Sequence, residues 1–257
     1  MTEIFRPGTI KRFARQAMRG KWLRGILVML LYALVINGPS FVLSYLTDSK
    51  VVSYILVFYQ LAISGPMIMG VTVFFLDVFR GVDEPGLGSF GRGFSFGFKA
   101  IQLYITVLAF VILWSFLFVI PGIVAAFRYS QSFFILADNP DMSPYECISR
   151  SKVLMFGIKG RYFLLQLSFI GWVILAGIPS ALAVYSAVDP NSMYISIEAF
   201  QMQVIKASEA PLPTALGILS YLVGVYILAA DACFYDIVSG NLKLYTEAPP
   251  RDSKGMY

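Results

Sequence analysis

PGIVAAFRYSQSFFILADNPDMSPYECISRSKVLMFGIKGR, residues 121–161, decides how this chain is threaded through a membrane. It lies in a sequence of 257 residues that is 58% hydrophobic and only 14% charged, with a mean hydropathy of +0.72. A soluble domain carries about 25% charged residues, so most of this surface faces something other than water. Five runs contain no charged residue: 25–47, 51–76, 100–127, 162–188 and 210–230. Each reaches the roughly 20 apolar residues that a helix needs to cross a hydrocarbon core. The runs are apolar on every face rather than alternating, which excludes a β-barrel. Lipid tolerates only internally satisfied backbone, so the expected fold is all-α, a polytopic transmembrane helical bundle.

Charge then chooses the number of spans. With five spans and the N-terminus inside, Lys and Arg divide 11 inside to 9 outside, which is no bias. If the third run turns at Pro121-Gly122 and 122–138 returns as a short span, the division becomes 18 inside and 2 outside, the two being Lys50 and Lys206. The positive-inside rule selects the six-span arrangement, with both termini cytoplasmic. Pro121 removes a backbone donor and Gly122 is expected to take up the dihedrals of the reversal. The spans are expected at about 23–47, 51–78, 99–120, 122–138, 162–187 and 212–238, inside one membrane domain, 23–240. The remaining parts are a basic amphipathic segment, 1–22, and a cytoplasmic tail, 241–257. The first run is longer than a signal-peptide core of about 7–15 residues, so it is expected to stay as the first span.

The return span carries Arg128, a costly residue in lipid. Two readings follow. Either Arg128 lies within the membrane, where Asp231 of the last span is a candidate partner, or it lies in the interface and 123–127 is a re-entrant corner. Around it, TIKRFARQAMRGKW (9–22) places Ile10, Phe13, Ala14, Ala17 and Met18 on one helical face and Lys11, Arg12, Arg15 and Arg19 on another. That is the pattern of an interfacial helix on an anionic inner leaflet, with Trp22 as an anchor. Residues 141–161 read as a second cytoplasmic helix. Ser143, Pro144 and Glu146 form its start, a capping-box pattern. Ile148, Val153, Leu154 and Phe156 are expected to face the membrane, and Arg150, Lys152, Lys159 and Arg161 the headgroups.

The glycine-rich stretch 80–99 satisfies G-x-G-x-x-G at Gly86, Gly88 and Gly91, but membrane helices rather than a βαβ unit flank it, so no nucleotide site is assigned. A flexible loop with Phe90, Phe94, Phe96 and Phe98 dipping into the interface is expected instead. Pro39, Pro66, Pro121 and Pro179 interrupt apolar stretches. Such breaks are ordinary kinks, although they also build transport sites.

The chain contains no histidine, which removes Ser-His-Asp and Cys-His nucleophiles, His metal ligands and imidazole relays. Asp231 and Asp236 lie about 140° apart on a helix and make no same-face pair. Asp77, Asp138 and Asp141 read as solvated caps at span ends. Asp138-Asn139-Pro140 ends one helix, because a residue before proline avoids the α region. Cys147 and Cys233 form no metal motif, and a disulfide is not expected on the cytoplasmic side. No catalytic, cofactor-binding or metal residue is assigned.

Several motifs resemble a family of uncharacterised bacterial integral membrane proteins catalogued as domain of unknown function 975. They are the basic N-terminal helix running into the first span, SGPMIMGVTVFFLDVFRG (64–81), IPGI (120–123), YSQSFFILADNPDMSPYECISRSKVLMFGIKG (129–160), LSFIGW (167–172) and FYDIV (234–238). Pro66, Pro121, Gly122, Asp138, Asn139 and Pro140 belong to this signature. The likeness covers about 1–186 and 228–245, and departs at the longer outer loop 187–211. It implies a multi-pass protein of the bacterial cytoplasmic membrane with no established activity. More remotely, it is similar to membrane domains of glycerophosphodiester phosphodiesterases. The expected role is a non-enzymatic scaffold or accessory subunit that binds lipid or another membrane protein, and not nucleic acid. The alternatives are a transporter or exporter component with an intramembrane Arg128/Asp231 site, and a membrane-embedded lipid-modifying enzyme.

Overall fold

The computed structural model describes residues 5–46, 50–82, 85–189 and 196–240, and every regular element among them is helical. The tail 241–257 and part of the outer loop, 190–195, lie outside the described residues. Six helical stretches are long and apolar enough to cross a membrane, in the number and order expected.

The N-terminal helix α1 (Pro7–Ala17) begins with proline at its first position, where a missing N–H is harmless. Two long spans follow, α2 (Trp22–Leu46) and α3 (Lys50–Phe79). The apolar window of α3 is 72% buried, against 11% for α2. It is apolar all round because it is the central post of the bundle. Met67, Met69, Phe74 and Phe75 lie in the core, while Leu27, Leu34, Leu113 and Ile174 on the outer helices stay exposed. Pro66 lies within α3, and Pro39 within α2.

The glycine-rich stretch is not the flexible loop expected. It forms α4 (Leu87–Arg92) and a 3₁₀ turn (Gly93–Phe96) that continue into the third span, α5 (Gly97–Leu117). Phe90 is buried, whereas Phe94 and Phe98 are exposed. The cause is backbone contact: any Cβ on Gly93 would fall 2.1 Å from the nitrogen of Gly70 in α3. Only two glycines let these backbones touch.

The reversal after α5 also differs in detail. It occurs at Phe118, whose extended backbone (φ −164°, ψ 155°) precedes α6 (Val119–Tyr129). Pro121 therefore sits in the first helical turn, where its missing donor costs little. Gly122 has no left-handed backbone. Its role is contact, since a Cβ there would lie 2.0 Å from Oγ of Ser115. The return continues through a break at Ser130-Gln131 into α7 (Ser132–Asp138). Residues Val119–Asp138 form a 20-residue stretch, about 30 Å at 1.5 Å per residue, enough for a full crossing.

The helix expected over 141–161 is two helices. The first, α8 (Pro144–Leu154), has the predicted capping box: Glu146 N–H donates to Ser143 Oγ at 3.3 Å and Ser143 N–H to Glu146 Oε2 at 2.8 Å. Gly157, at φ +77°, turns the chain into α9 (Lys159–Leu167). The fifth crossing is α9 followed by α10 (Ile170–Ala187), with Pro179 inside the latter. A helix in the outer segment, α11 (Ile197–Glu209), leads to the last span, α12 (Pro211–Ser239).

The apolar face of α1 contacts protein rather than lipid. Ile10, Ala14 and Met18 are fully buried, with α1 packed on α12, α3 and α9. Tyr226 of α12 donates to the Lys11 carbonyl at 3.2 Å. The amphipathic pattern was legible, but the surface it covers is that of α12, α3 and α9.

Candidate functional site

The ends of α3, α7 and α12 meet at one end of the bundle, the basic end, where α8 packs on α7, while α1 packs on α12, α3 and α9. Arg80 follows directly on α3, where its side chain reaches across two neighbours. Nη1 and Nη2 donate to Oδ1 and Oδ2 of Asp138 at 2.6 and 2.9 Å. Nη2 also donates to Oδ1 of Asp236 at 2.7 Å, and Nε approaches both Asp236 oxygens at 3.2 and 3.3 Å. One planar guanidinium thus clamps the ends of three spans, a geometry lysine does not reproduce. The bonds to Asp138, followed by those to Asp236, raise the pKa of Arg80 and keep it charged. Tyr235 donates to Asp138 Oδ2 at 2.9 Å and stacks on Phe134 at 5.2 Å between centroids. Nearby, Arg92 pairs with Asp77.

Beside the clamp lies a hollow of about 380 Å³, lined by Arg80, Asp138, Asn139, Arg150, Tyr235 and Ser239 together with two apolar side chains. Its charged and hydroxyl groups are mostly committed. Arg80 and Asp138 hold each other, Tyr235 donates to Asp138, and Ser239 Oγ donates to the Asp236 carbonyl. Asn139 Nδ2 donates to the Ile135 carbonyl at 3.0 Å, closing α7. Arg150 is exposed and enters no ion pair among the described residues. The uncommitted charge on this lining is therefore a cation.

The predicted headgroup residues separate into two groups. Arg12, Arg15, Arg19 and Arg150 are exposed and free of ion pairs among the described residues. Others lean on protein. Lys11 Nζ donates to the Ser168 carbonyl at 2.7 Å and sits 4.1 Å from the Phe169 ring, and this burial, aided by Arg15, lowers its pKa. Lys152 lies 5.6 Å from the rings of Phe110 and Tyr129, and Arg161 4.9 Å from that of Phe5. Lys159 is half-buried. Pro140 offers its carbonyl to Lys99 at 2.7 Å. Ile148 is buried in protein, whereas Val153 and Phe156 project from the surface, 76% and 82% exposed.

The Arg128–Asp231 pair does not form. Gln166 Nε2 donates to Asp231 Oδ1 at 2.7 Å, while Arg128 Nε is buried without an acceptor. Along the chain Asp231 lies five residues before Asp236, and Arg128 ten before Asp138, the carboxylates of the cluster that does form. Cys147 and Cys233 are both free and buried. Burial, with Glu146 adding to it, pushes the Cys147 thiol up to about 11, so it stays protonated and unreactive near neutral pH. No three His, Cys, Asp or Glu side chains among the described residues gather as metal ligands.

Sequence reasoning missed the clamp because its members are 58 and 156 positions from Arg80. A signal was present nonetheless. The segments DVFRG, LADNP and FYDIV each contribute one charged member, and all lie at span ends on the side richest in Lys and Arg.

No curated protein and no solved structure matches this chain, so the remote likeness to glycerophosphodiester phosphodiesterase membrane domains finds no support there. A family match covers residues 94–241, more than half the sequence and including the reversal, the clamp carboxylates and Arg150. This helical membrane chain belongs to the family described as "Protein of unknown function (DUF975)".

Proposed function

We propose that the protein is a non-enzymatic accessory or scaffold component of a bacterial cytoplasmic membrane, binding anionic lipid headgroups at its basic end. The supporting observation is the set of four arginines, Arg12, Arg15, Arg19 and Arg150, exposed there outside any described ion pair. Each cation near an anionic leaflet gains about 1 kcal/mol. Val153 and Phe156 add an apolar contact beside them. Both termini then lie on the cytoplasmic side, in line with the positive-inside count. A further membrane protein is a compatible partner for the same face. The transport alternative loses its motivating contact, because Arg128 and Asp231 do not pair.

Native mass spectrometry of the detergent-purified protein tests the proposal. Phosphatidylglycerol should be retained in preference to phosphatidylcholine. Arg12→Gln/Arg15→Gln/Arg150→Gln should lose that preference while keeping its fold. Equal retention of both lipids by the unaltered protein would reject the reading.

A further inference from the structure

The hollow beside the clamp is built from three helix faces. Arg150 and Leu154 are four apart on α8, Tyr235 and Ser239 four apart on α12, and Ile135 and Asp138 three apart on α7. Each pair therefore shares a face, and all six residues line the same space. Its volume of about 380 Å³ lies in the lower part of the range of ligand pockets, about 300–1,000 Å³.

The walls offer different chemistry. On α8, Arg150 is an exposed cation outside any ion pair among the described residues, and its guanidinium suits the oxygens of a phosphate. On α12 the hydroxyl hydrogens are already spent. Tyr235 donates to Asp138 Oδ2 at 2.9 Å, and Ser239 to the Asp236 carbonyl at 3.3 Å. A hydroxyl has one hydrogen and two lone pairs, so both groups now offer only lone pairs to a ligand. The Asp138 carboxylate beside them is acceptor-only as well. That side of the hollow therefore calls for a ligand that brings donors. Arg80 lines the hollow too and already holds Asp138 at 2.6 Å, so neutral hydroxyls fit there better than a second cation.

We propose that the hollow binds a phosphodiester ending in hydroxyls, the headgroup of phosphatidylglycerol, with its phosphate on Arg150 and its hydroxyls on the side of Tyr235 and Ser239. This rests on the anionic-lipid reading above and narrows it to one headgroup class. Position favours a lipid over a free polyol phosphate. Asp138 and Ser239 are the last residues of their helices, and Val153 and Phe156, close to Leu154 in the chain, project from the surface.

Native mass spectrometry of the full chain with charge-matched lipids tests the assignment. Phosphatidylpropanol carries the same phosphodiester and charge as phosphatidylglycerol but no headgroup hydroxyl. Phosphatidylglycerol should be retained about fivefold better, the effect of one or two hydrogen bonds. Ser239→Ala should narrow that ratio, and Leu154→Trp, which fills the hollow, should erase it. Should Leu154→Trp fail to fold, Ser239→Ala decides alone. Equal retention of the two anionic lipids, with phosphatidylcholine still rejected, would overturn the hollow and leave the anionic-lipid reading standing. Equal retention of all three would overturn both. A preference unchanged in the folded variants would place hydroxyl recognition elsewhere and overturn the hollow as well. Binding of free glycerophosphoglycerol without retention of phosphatidylglycerol would overturn the assignment to lipid.

Discussion

A single guanidinium, that of Arg80, joins three spans at one end, and its surroundings set what its removal costs. Asp236 is 1% exposed and Asp138 19%, so Arg80→Ala leaves two carboxylates in a poorly hydrated place. Removing one partner of a buried pair costs roughly 3–5 kcal/mol. Arg80 itself is 26% exposed, which places the expected loss near 3 kcal/mol rather than above it. Denaturant unfolding in detergent should show this, and an unchanged transition in Arg80→Ala would remove the clamp from the account. Asp138→Asn should cost less, because Asp138 keeps more water. Asp138 reads alone as a solvated end cap, and nothing local in the sequence joins it to Arg80 or Asp236. The pattern emerges only when the spans are bundled, so composition and periodicity did not show it. Ser143 and Glu146 are the opposite case. Their interaction spans three residues of one turn, and it was legible in full.

Among the elements, the hairpin of α5 and α6 shows where a correct reading had the wrong cause. Pro121-Gly122 does mark the reversal, yet the chain turns at Phe118 and Gly122 serves the contact with Ser115. Backbone freedom and close packing demand the same residue, and sequence alone does not separate them. Substitution does. Gly122→Val should force the two helices apart and cost about 1–3 kcal/mol, the usual range for overpacking. Ser115→Gly/Gly122→Ala should recover much of the loss caused by Gly122→Ala alone, because a new Cβ meets the hydroxyl and then the Cβ of Ser115. If Gly122 were needed for its dihedrals, the second change would rescue nothing; unfolding midpoints decide between the two. The segment 87–96 makes a similar point. Its glycines suggested looseness, but Gly93 meets Gly70 directly and the segment is helical.

For the molecule as a whole, hydropathy and the distribution of Lys and Arg were sufficient to order six crossings, because both signals survive without side-chain detail. What they left out was which crossing is central. Hydropathy is 1.8 for α3 and 2.2 for α2, although α3 is buried and α2 faces outward. Lipid and protein interior are similarly apolar, so the scale does not tell them apart. Sidedness is open to measurement. Single cysteines at Gly20 and Gly157 should react only with permeant maleimide in intact cells, whereas cysteines at Phe118 and Ser196 should react with an impermeant one. The native cysteines are buried and give a low background. Reaction of Gly20 and Phe118 positions from the same side would refute the six-crossing path.

The central position of α3 has a consequence for biogenesis. The post is synthesised four spans before α12, which supplies Asp236 and much of its covering. During synthesis α3 therefore stands in lipid with Arg80 at its end and one clamp carboxylate not yet made. Closure of the clamp coincides with arrival of α12. A chain truncated before α12 would keep Arg80 on Asp138 alone, without the more deeply buried partner Asp236.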